Sequence, residues 1–244
     1  MDKDFEKTYH DVETNHWWFK SRRAYLLDLI NKLPRNSKVL DIGCSSGVFL
    51  KELKEMGFDE KNLFGIDISE VAIENAKQNG LENTFVMDAQ NITLDEKFDV
   101  IIASDCLEHL KEDEKALKNW YELLNKNGVA FIFVPAFMSL WSYHDEYNMH
   151  YRRYTNSELK SKLEKEGFEI QKSSYWNFFL CIPVYIFRKI ASLSKAKKPE
   201  SSDITVGNSF INAMLYQLIV FENKLLKIFN FPFGVSTFCV VRKK

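Results

Sequence analysis

The run Lys38-Val39-Leu40-Asp41-Ile42-Gly43-Cys44-Ser45-Ser46-Gly47 limits what this chain can fold into more than any other stretch. β-prone residues lead into an acid and a turn of small residues, and Val48-Phe49-Leu50-Lys51-Glu52-Leu53 continues at helical spacing. That order reads as a buried strand, a tight loop and a helix start, which lets backbone N–H groups approach a ligand closely. At 244 residues the chain buries a full core and fits one domain with insertions better than two domains.

The same alternation continues downstream. Asn62-Leu63-Phe64-Gly65-Ile66-Asp67-Ile68-Ser69 reads as a second strand ending in an acid, with Ser69 capping a helix over 70–79. Asp67 lies 20 residues after Gly47, and a carboxylate at such a strand end accepts two hydrogen bonds from a ribose diol. Thr84 to Ala89 predicts a third strand, Lys97 to Asp105 a fourth, and Val129 to Pro135 a fifth after a helix over 112–125. The apolar run of the fourth strand implies burial on both faces, as in a parallel sheet. Strands alternating with helices argue for a doubly wound α/β sheet.

Residues 38–135 resemble the class I S-adenosylmethionine-dependent methyltransferases. Their first motif, V-L-D-x-G-C-G-x-G, is met at Asp41, Gly43, Cys44 and Gly47 and departs at Ser45, where the middle glycine normally sits. The resemblance implies S-adenosylmethionine lying across Asp41, Gly43, Cys44, Gly47 and Asp67, with Ile68 against the adenine. It further implies Asp88 facing the adenine amino group, the Ala89 backbone N–H as a second contact, and Asp105 at the mouth. Cys106-Leu107-Glu108-His109-Leu110 resembles the L-E-H-L signature that follows strand four in many small-molecule methyltransferases. The absence of G-x-G-x-x-G turns the reading away from a nicotinamide-dinucleotide fold. The implied architecture is a Rossmann-like seven-stranded sheet with an antiparallel last strand, an N-terminal helical lid and a helical insertion before the last strand.

The segment Pro135 to Thr155 falls at the carboxyl edge of the sheet, where open α/β folds bind ligands. It resembles the W-S-x-H-D…H-x-R-R-Y segment of a methyltransferase group often associated with sugar and cell-surface polymer pathways. Trp141, Tyr143, Arg152 and Arg153 are therefore expected at the acceptor, the arginines gripping a carboxylate or phosphate or else pairing with Asp145. Transfer to oxygen or nitrogen often needs a base, and His150, His109 or His144 is expected to be it, His150 foremost because tyrosine and arginine follow it. His144, Asp145, His150 and Glu108 lack the spacing of a helix-borne metal motif, so no metal is expected. Residues 5–33 read as helical with a break between Asp11 and Trp18. The cluster His16 to Arg23 reads as a lid that packs on the core and caps the site, bringing Trp17, Trp18 and Arg22 to the substrate.

Thr155 and Glu158 form a capping box for a helix ending at Gly167, before a sixth strand at Phe168 to Tyr175 and a seventh at Ser236 to Arg242. The expected organisation is a lid over 1–36, a cofactor core over 37–135, a substrate loop over 136–156 and an apolar helical insertion over 176–233. That insertion begins almost uniformly apolar, then carries Arg188, Lys189, Lys195, Lys197 and Lys198 with no acid among them. A polar linker from Pro199 to Asn208 and a helix from Phe210 towards Asn230 follow. Because Glu222, Asn223 and Lys224 interrupt that helix, the insertion reads first as a hairpin packed on the domain or on a second copy. Its second reading is an interfacial element suited to anionic headgroups and a lipid-linked acceptor.

A formal net charge of −1 and a pI near 6.5 give no global drive towards nucleic acid, and no N-P-P-Y or D-P-P-Y signature follows strand four. Four scattered cysteines and a charged, polar N-terminus point to a cytoplasmic protein, with peripheral contact at the inner membrane face as the extension. The expected function is methyl transfer from S-adenosylmethionine to an oxygen or nitrogen of a small or lipid- or sugar-linked acceptor. A cofactor-binding module without catalysis and a membrane-peripheral scaffold are the alternatives.

Overall fold

A computed structural model describes residues 12–193 and 207–244. Its single sheet holds β1 (Val39–Ile42), β2 (Leu63–Asp67), β3 (Thr84–Val86), β4 (Phe98–Ser104), β5 (Leu124–Pro135), β6 (Phe168–Trp176) and β7 (Ser236–Lys243). The order is β3-β2-β1-β4-β5-β7-β6. β1 to β5 pair in parallel, and β7 is antiparallel to both β5 and β6. This is the doubly wound, seven-stranded sheet with a reversed last strand that the sequence predicts.

The strands' side-chain alternation builds two apolar layers, one on each face. Leu40 and Ile42 of β1 join Ile101, Leu117 and Trp120 on one side. Val39 joins Leu50, Val100, Ile102 and Phe133 on the other. The helices that supply these partners are α1 (Trp17–Ile30), α2 (Val48–Glu55), α3 (Glu70–Gln78), α4 (Asp113–Leu123), α5 (Tyr143–Tyr147), α6 (Asn156–Lys165), α7 (Cys181–Leu193) and α8 (Ser209–Leu225). The predicted caps are present: the Ser69 hydroxyl accepts from the Ala72 N–H at 3.0 Å, and Thr155 and Glu158 form the capping box of α6.

Three boundaries differ from expectation. The first helix starts at Trp17, inside the predicted break, because the His16 side chain caps it by accepting from the Trp18 N–H. β5 begins at Leu124 rather than Val129, passing through Asn127 at φ 64, where a turn was expected. α8 ends at Leu225, short of Asn230, so that Phe231 can return to the sheet. There the Phe231 N–H donates to the Ser174 hydroxyl at 2.8 Å, and its ring stacks on Phe178 at 4.6 Å. Residues 5–11 of the expected first helix, Lys195, Lys197, Lys198 and most of the linker (199–206) lie outside the described residues.

The polar residues read as interrupting α8 are what fasten it. Glu222 is fully buried and accepts from the backbone N–H groups of Asn177 and Phe179, the latter at 3.1 Å. The Asn223 amide accepts from the Trp176 indole at 2.9 Å and donates to the Ser21 carbonyl at 3.0 Å, joining β6, α8 and α1. No helix among the described residues is long and apolar enough to cross a membrane. Glu222→Ala strands two buried backbone donors and is expected to cost about 2–4 kcal/mol in a urea melt, whereas Glu222→Gln, which keeps an acceptor oxygen, costs less than half of that.

Candidate active site

The glycine loop is hooked over the end of β2. Backbone N–H groups of Gly43 and Cys44 both donate to the Ile66 carbonyl, at 2.8 and 3.0 Å. Gly47 then opens α2 at φ 76, where a Cβ would meet the Leu81 side chain at 2.3 Å, so neither the backbone nor the space admits another residue. Ser45, at the family's glycine position, sits at φ 50, a left-handed conformation that costs a non-glycine residue about 1–2 kcal/mol. Its compensation is visible. The Ser45 N–H donates to Asp67 Oδ2 at 3.0 Å, and its hydroxyl donates to Glu13 Oε2 at 3.0 Å. The Ser46 hydroxyl reaches the same Glu13 oxygen at 3.1 Å. The departure from the motif is thus a clasp between the loop and the segment ahead of α1. Sequence reading missed Glu13, because nothing local marks a carboxylate thirty residues upstream as a loop partner.

Asp67 also accepts from the Ser69 N–H at 2.9 Å, which fixes the carboxylate at the cavity wall. Ile68 beside it is 74% exposed and lines the same cavity, offering an apolar face to a planar ligand. Asp88 and Ala89 line the wall after β3, where Asp88 accepts from the Gln90 N–H at 2.8 Å and the Ala89 carbonyl accepts from the Trp120 indole at 2.9 Å. Asp41 is buried, and burial, then the nearby charges of Glu13 and Asp67, push its carboxyl up to about 8. Burial likewise raises the thiols of Cys44 and Cys106, and all four cysteines are free and buried.

Asp105 stands at φ 55 after β4 and pairs with Arg22 at 2.9 Å. Arg22 is itself buried: it donates to the Ser236 hydroxyl at 2.9 Å and lies over the Trp176 ring at 4.4 Å. Expected at the substrate, it instead pins α1 to the ends of β4 and β7 from the cavity wall. Trp17 and Trp18 are half-buried at the cavity, with Trp18 edge-on to Trp176 at 5.0 Å.

At the other end of the cavity Asp145 gathers the segment after β5. It is fully buried and accepts from the Ser142 N–H at 2.8 Å and from Arg153 Nε at 2.6 Å. His150 Nδ1 lies 2.9 Å from the same carboxylate. Burial pushes the Asp145 carboxyl up, but His150, Arg153 and the Ser142 backbone outweigh it and hold the group well below the usual range. Of the two arginines expected to grip an acceptor, Arg153 is thus locked to Asp145 and the Ala136 carbonyl, and Arg152 pairs with Asp113 at 2.9 Å and donates to the Lys111 carbonyl. The pairing alternative holds for Arg153; for Arg152 the partner is a residue of α4 instead.

The three histidines converge as expected. His109 and His150 stand edge to face at 4.6 Å between ring centroids, and His144 and His150 at 6.4 Å. Burial lowers His109 and His144 to about 4, with His150 adding to the first and Arg188 to the second, so both are neutral at physiological pH. Glu108, absent from the expected site residues, is wholly buried at this end, and its carboxylate and the ring nitrogens of His109 and His150 lie within 4.8 Å of one another. Those atoms are close enough to share a cation or a hydrogen-bonded ligand. Trp141 and Tyr143 complete the wall, and the whole cavity encloses about 1850 Å³.

A glycine loop hooked over β2, an acid ending that strand and a roomy cavity at the carboxyl edge define the nucleotide-cofactor class of doubly wound folds. A family model described as "Methyltransferase domain" matches residues 15–173, and the chain belongs to this family of class I S-adenosylmethionine-dependent methyltransferases. Among curated relatives, the ubiquinone biosynthesis O-methyltransferase of Pasteurella multocida is 29% identical over 147 residues, covering 54% of this chain and 59% of its own length. That of Pelagibacter ubique is 35% identical over 107 residues, covering 42% and 43%. The aligned stretch thus spans well under two thirds of either relative. An S-adenosylmethionine-dependent methyltransferase from Archaeoglobus fulgidus superimposes with a TM-score of 0.58 at 24% identity, covering 92% of this chain and 94% of its own. A protein from Galdieria sulphuraria titled a putative sarcosine dimethylglycine methyltransferase does so with 0.63 at 15% identity, covering 99% of each. Both likenesses bear on the fold alone.

The chain's own residues fit S-adenosylmethionine. Glu13, Asp41 and Asp67 place three carboxyl groups around the glycine loop, a setting that favours a cation, and the buried proton on Asp41 is the one such a ligand displaces. Cofactor affinity is therefore expected to rise as pH climbs towards about 8, by up to about tenfold per pH unit, and to level off above it. Titration calorimetry in buffers of different ionisation enthalpy reads the released proton; Asp41→Asn removes both the release and the slope.

Proposed function

We propose that this chain transfers a methyl group from S-adenosylmethionine to a hydroxyl oxygen of a lipid-linked acceptor, with His150 as the base. The observation that carries the reading is the Asp145–His150 pair at the far end of the cofactor cavity. With Nδ1–H donated to Asp145, His150 keeps its Nε2 lone pair for the acceptor proton, and the buried carboxylate stabilises the imidazolium that results. His109 and His144, held neutral, form the wall beside it. Bound S-adenosylmethionine supplies a methyl group on a sulfonium, whose departure leaves a neutral thioether. The lid aromatics Trp17 and Trp18 exclude water and present ring faces that attract a cation. Choice of oxygen over nitrogen rests on the curated relatives, which are O-methyltransferases by name.

The acceptor class rests on α7. Val184, Phe187 and Arg188 line the cavity, while Ile182, Ile186 and Ile190 of the same helix are exposed, Ile190 at 63%. Phe210, Ile211 and Met214 at the start of α8 add a second exposed apolar group. Lys189 is exposed on α7 while Arg188 turns inward to the Leu140 carbonyl, and no acid lies on the helix, which suits an anionic bilayer rather than a basic protein face. A hydrophobic acceptor entering along α7 passes from lipid into the cavity without crossing water. In this reading the chain sits peripherally on the inner membrane face.

Methyl-labelled S-adenosylmethionine incubated with the protein and a cell extract is expected to label the lipid fraction. Label confined to water-soluble metabolites would sink the lipid-linked acceptor. His150→Gln is expected to lower the transfer rate by about 10²–10⁴-fold with unchanged cofactor affinity. In flotation, the protein should follow vesicles of anionic lipid over neutral ones, and Ile186→Glu with Ile190→Glu should release it. Self-association through this face with no vesicle binding would mark it as a dimer interface instead.

A further inference from the structure

Glu108 is a titratable side chain that the fold does not use. Its backbone is fixed in the single 3₁₀ turn Leu107–His109, and its carbonyl accepts from the Tyr151 N–H at 2.9 Å, tying β4's exit to the substrate segment. The side chain has 0% exposure, yet neither carboxyl oxygen has a hydrogen-bond partner. Three other buried acids are saturated: Asp145 holds Ser142, His150 and Arg153, Glu222 holds two backbone donors, and Asp113 holds Tyr154 and Lys162. A buried polar group left unpaired is costly, and removing it would stabilise the chain. Glu108 lines the cavity, and its oxygens lie within 4.8 Å of the ring nitrogens of His109 and His150.

We infer that Glu108 orients the acceptor by hydrogen-bonding a second hydroxyl adjacent to the one that is methylated, so that the acceptor class carries two neighbouring hydroxyl groups. This rests on the reading of His150 as the base. Two hydrogen-bonding groups so close together are met by hydroxyls on adjacent carbons; an acceptor with a lone hydroxyl leaves Glu108 unpaired, and one with distant hydroxyls cannot reach both groups. Burial, and then the charge of Asp105, raise the Glu108 carboxyl well above the carboxylate range, with Arg22 and Arg153 opposing. That shift favours the protonated form, which both donates to and accepts from a ligand oxygen. Discrimination of this kind is strong, because a site built around a buried polar group rejects the analogue that lacks its partner.

The test uses label transfer to a cell extract with and without prior periodate, which destroys adjacent hydroxyls on sugars and on aromatic rings alike. Loss of labelling after periodate is expected; labelling that survives overturns the inference. The ultraviolet absorbance of the labelled product separates a ring-borne pair from a sugar-borne one. Glu108→Leu is expected to raise the melting temperature while lowering transfer at limiting extract at least tenfold, with cofactor affinity unchanged and Glu108→Gln recovering much of the rate. Undiminished transfer by Glu108→Leu, or a lowered melting temperature with transfer intact, overturns it. So does transfer by the wild type that a chelator abolishes and a divalent cation restores, since Glu108 would then be a metal ligand. Cofactor binding by the wild type with no transfer to any fraction defeats the methyl-transfer reading itself, and this inference with it.

Discussion

The carboxylate of Asp145 is the point on which the acceptor side of the molecule depends. Out of contact with solvent, it takes hydrogen bonds from a backbone N–H, an imidazole and a guanidinium. A buried charge is expensive, and this one is tolerated because every partner is in place. Each partner also fixes a different piece of chain. Ser142 starts α5, His150 ends the turn beyond it, and Arg153 reaches back to the Ala136 carbonyl at the exit of β5. The segment from 136 to 153 is therefore closed on itself around one side chain, and the orientation of His150 is a by-product of that closure. Removing Asp145 would leave Arg153 buried without its ion-pair partner, so the geometry of His150 and the integrity of the loop cannot be separated by mutation at that residue.

What the sequence made legible was whatever is written locally. The strand–loop–helix around Gly43 and Gly47, the acid ending β2 and the caps at Ser69 and Thr155 all depend on residues a few positions apart, and the structure has each of them; the reversed last strand was legible only through the family resemblance. Partners remote in sequence were illegible. Arg22 looks like a substrate-gripping cation in a run of aromatics, and only the fold shows Asp105 and Ser236 closing on it. Glu222 and Asn223 look like interruptions of an apolar helix, and only the fold shows the backbone of Asn177 and the indole of Trp176 in need of them. Ser45 looks like a lapse from a glycine motif until Glu13 is seen beneath it. In each case the polar residue was visible and its purpose was not, because the partner lies across a crossover.

Helices α7 and α8 show the same division. Their composition is apolar nearly all round, so periodicity could not say which face is buried. The structure buries Ile219 and Leu226 of the α8 region against α1 and β6 and leaves Phe210, Ile211 and Met214 outside. One face of the insertion thus packs on the domain, as its first reading has it, and another is bare. An exposed apolar group of this extent on a globular domain marks a contact surface. That surface is continuous with the cavity through Val184 and Phe187.

The two ends of the cavity answer opposite electrostatic demands. Around the glycine loop, burial and then the charges of Glu13 and Asp67 push the Asp41 carboxyl up to about 8. Around His150 the neighbouring imidazoles are neutral, the Glu108 carboxyl is pushed towards its protonated form, and Asp145 and Arg153 pair with each other. A cation bound at the first end relieves repulsion that the empty protein carries, which makes ligand binding and stability one quantity. Glu13 belongs to the segment ahead of the lid helix, so that relief also acts on the Ser45–Glu13 clasp. Charge neutralisation at the cofactor end thereby acts on the covering over the whole cavity, whose other end already balances Asp145 against Arg153.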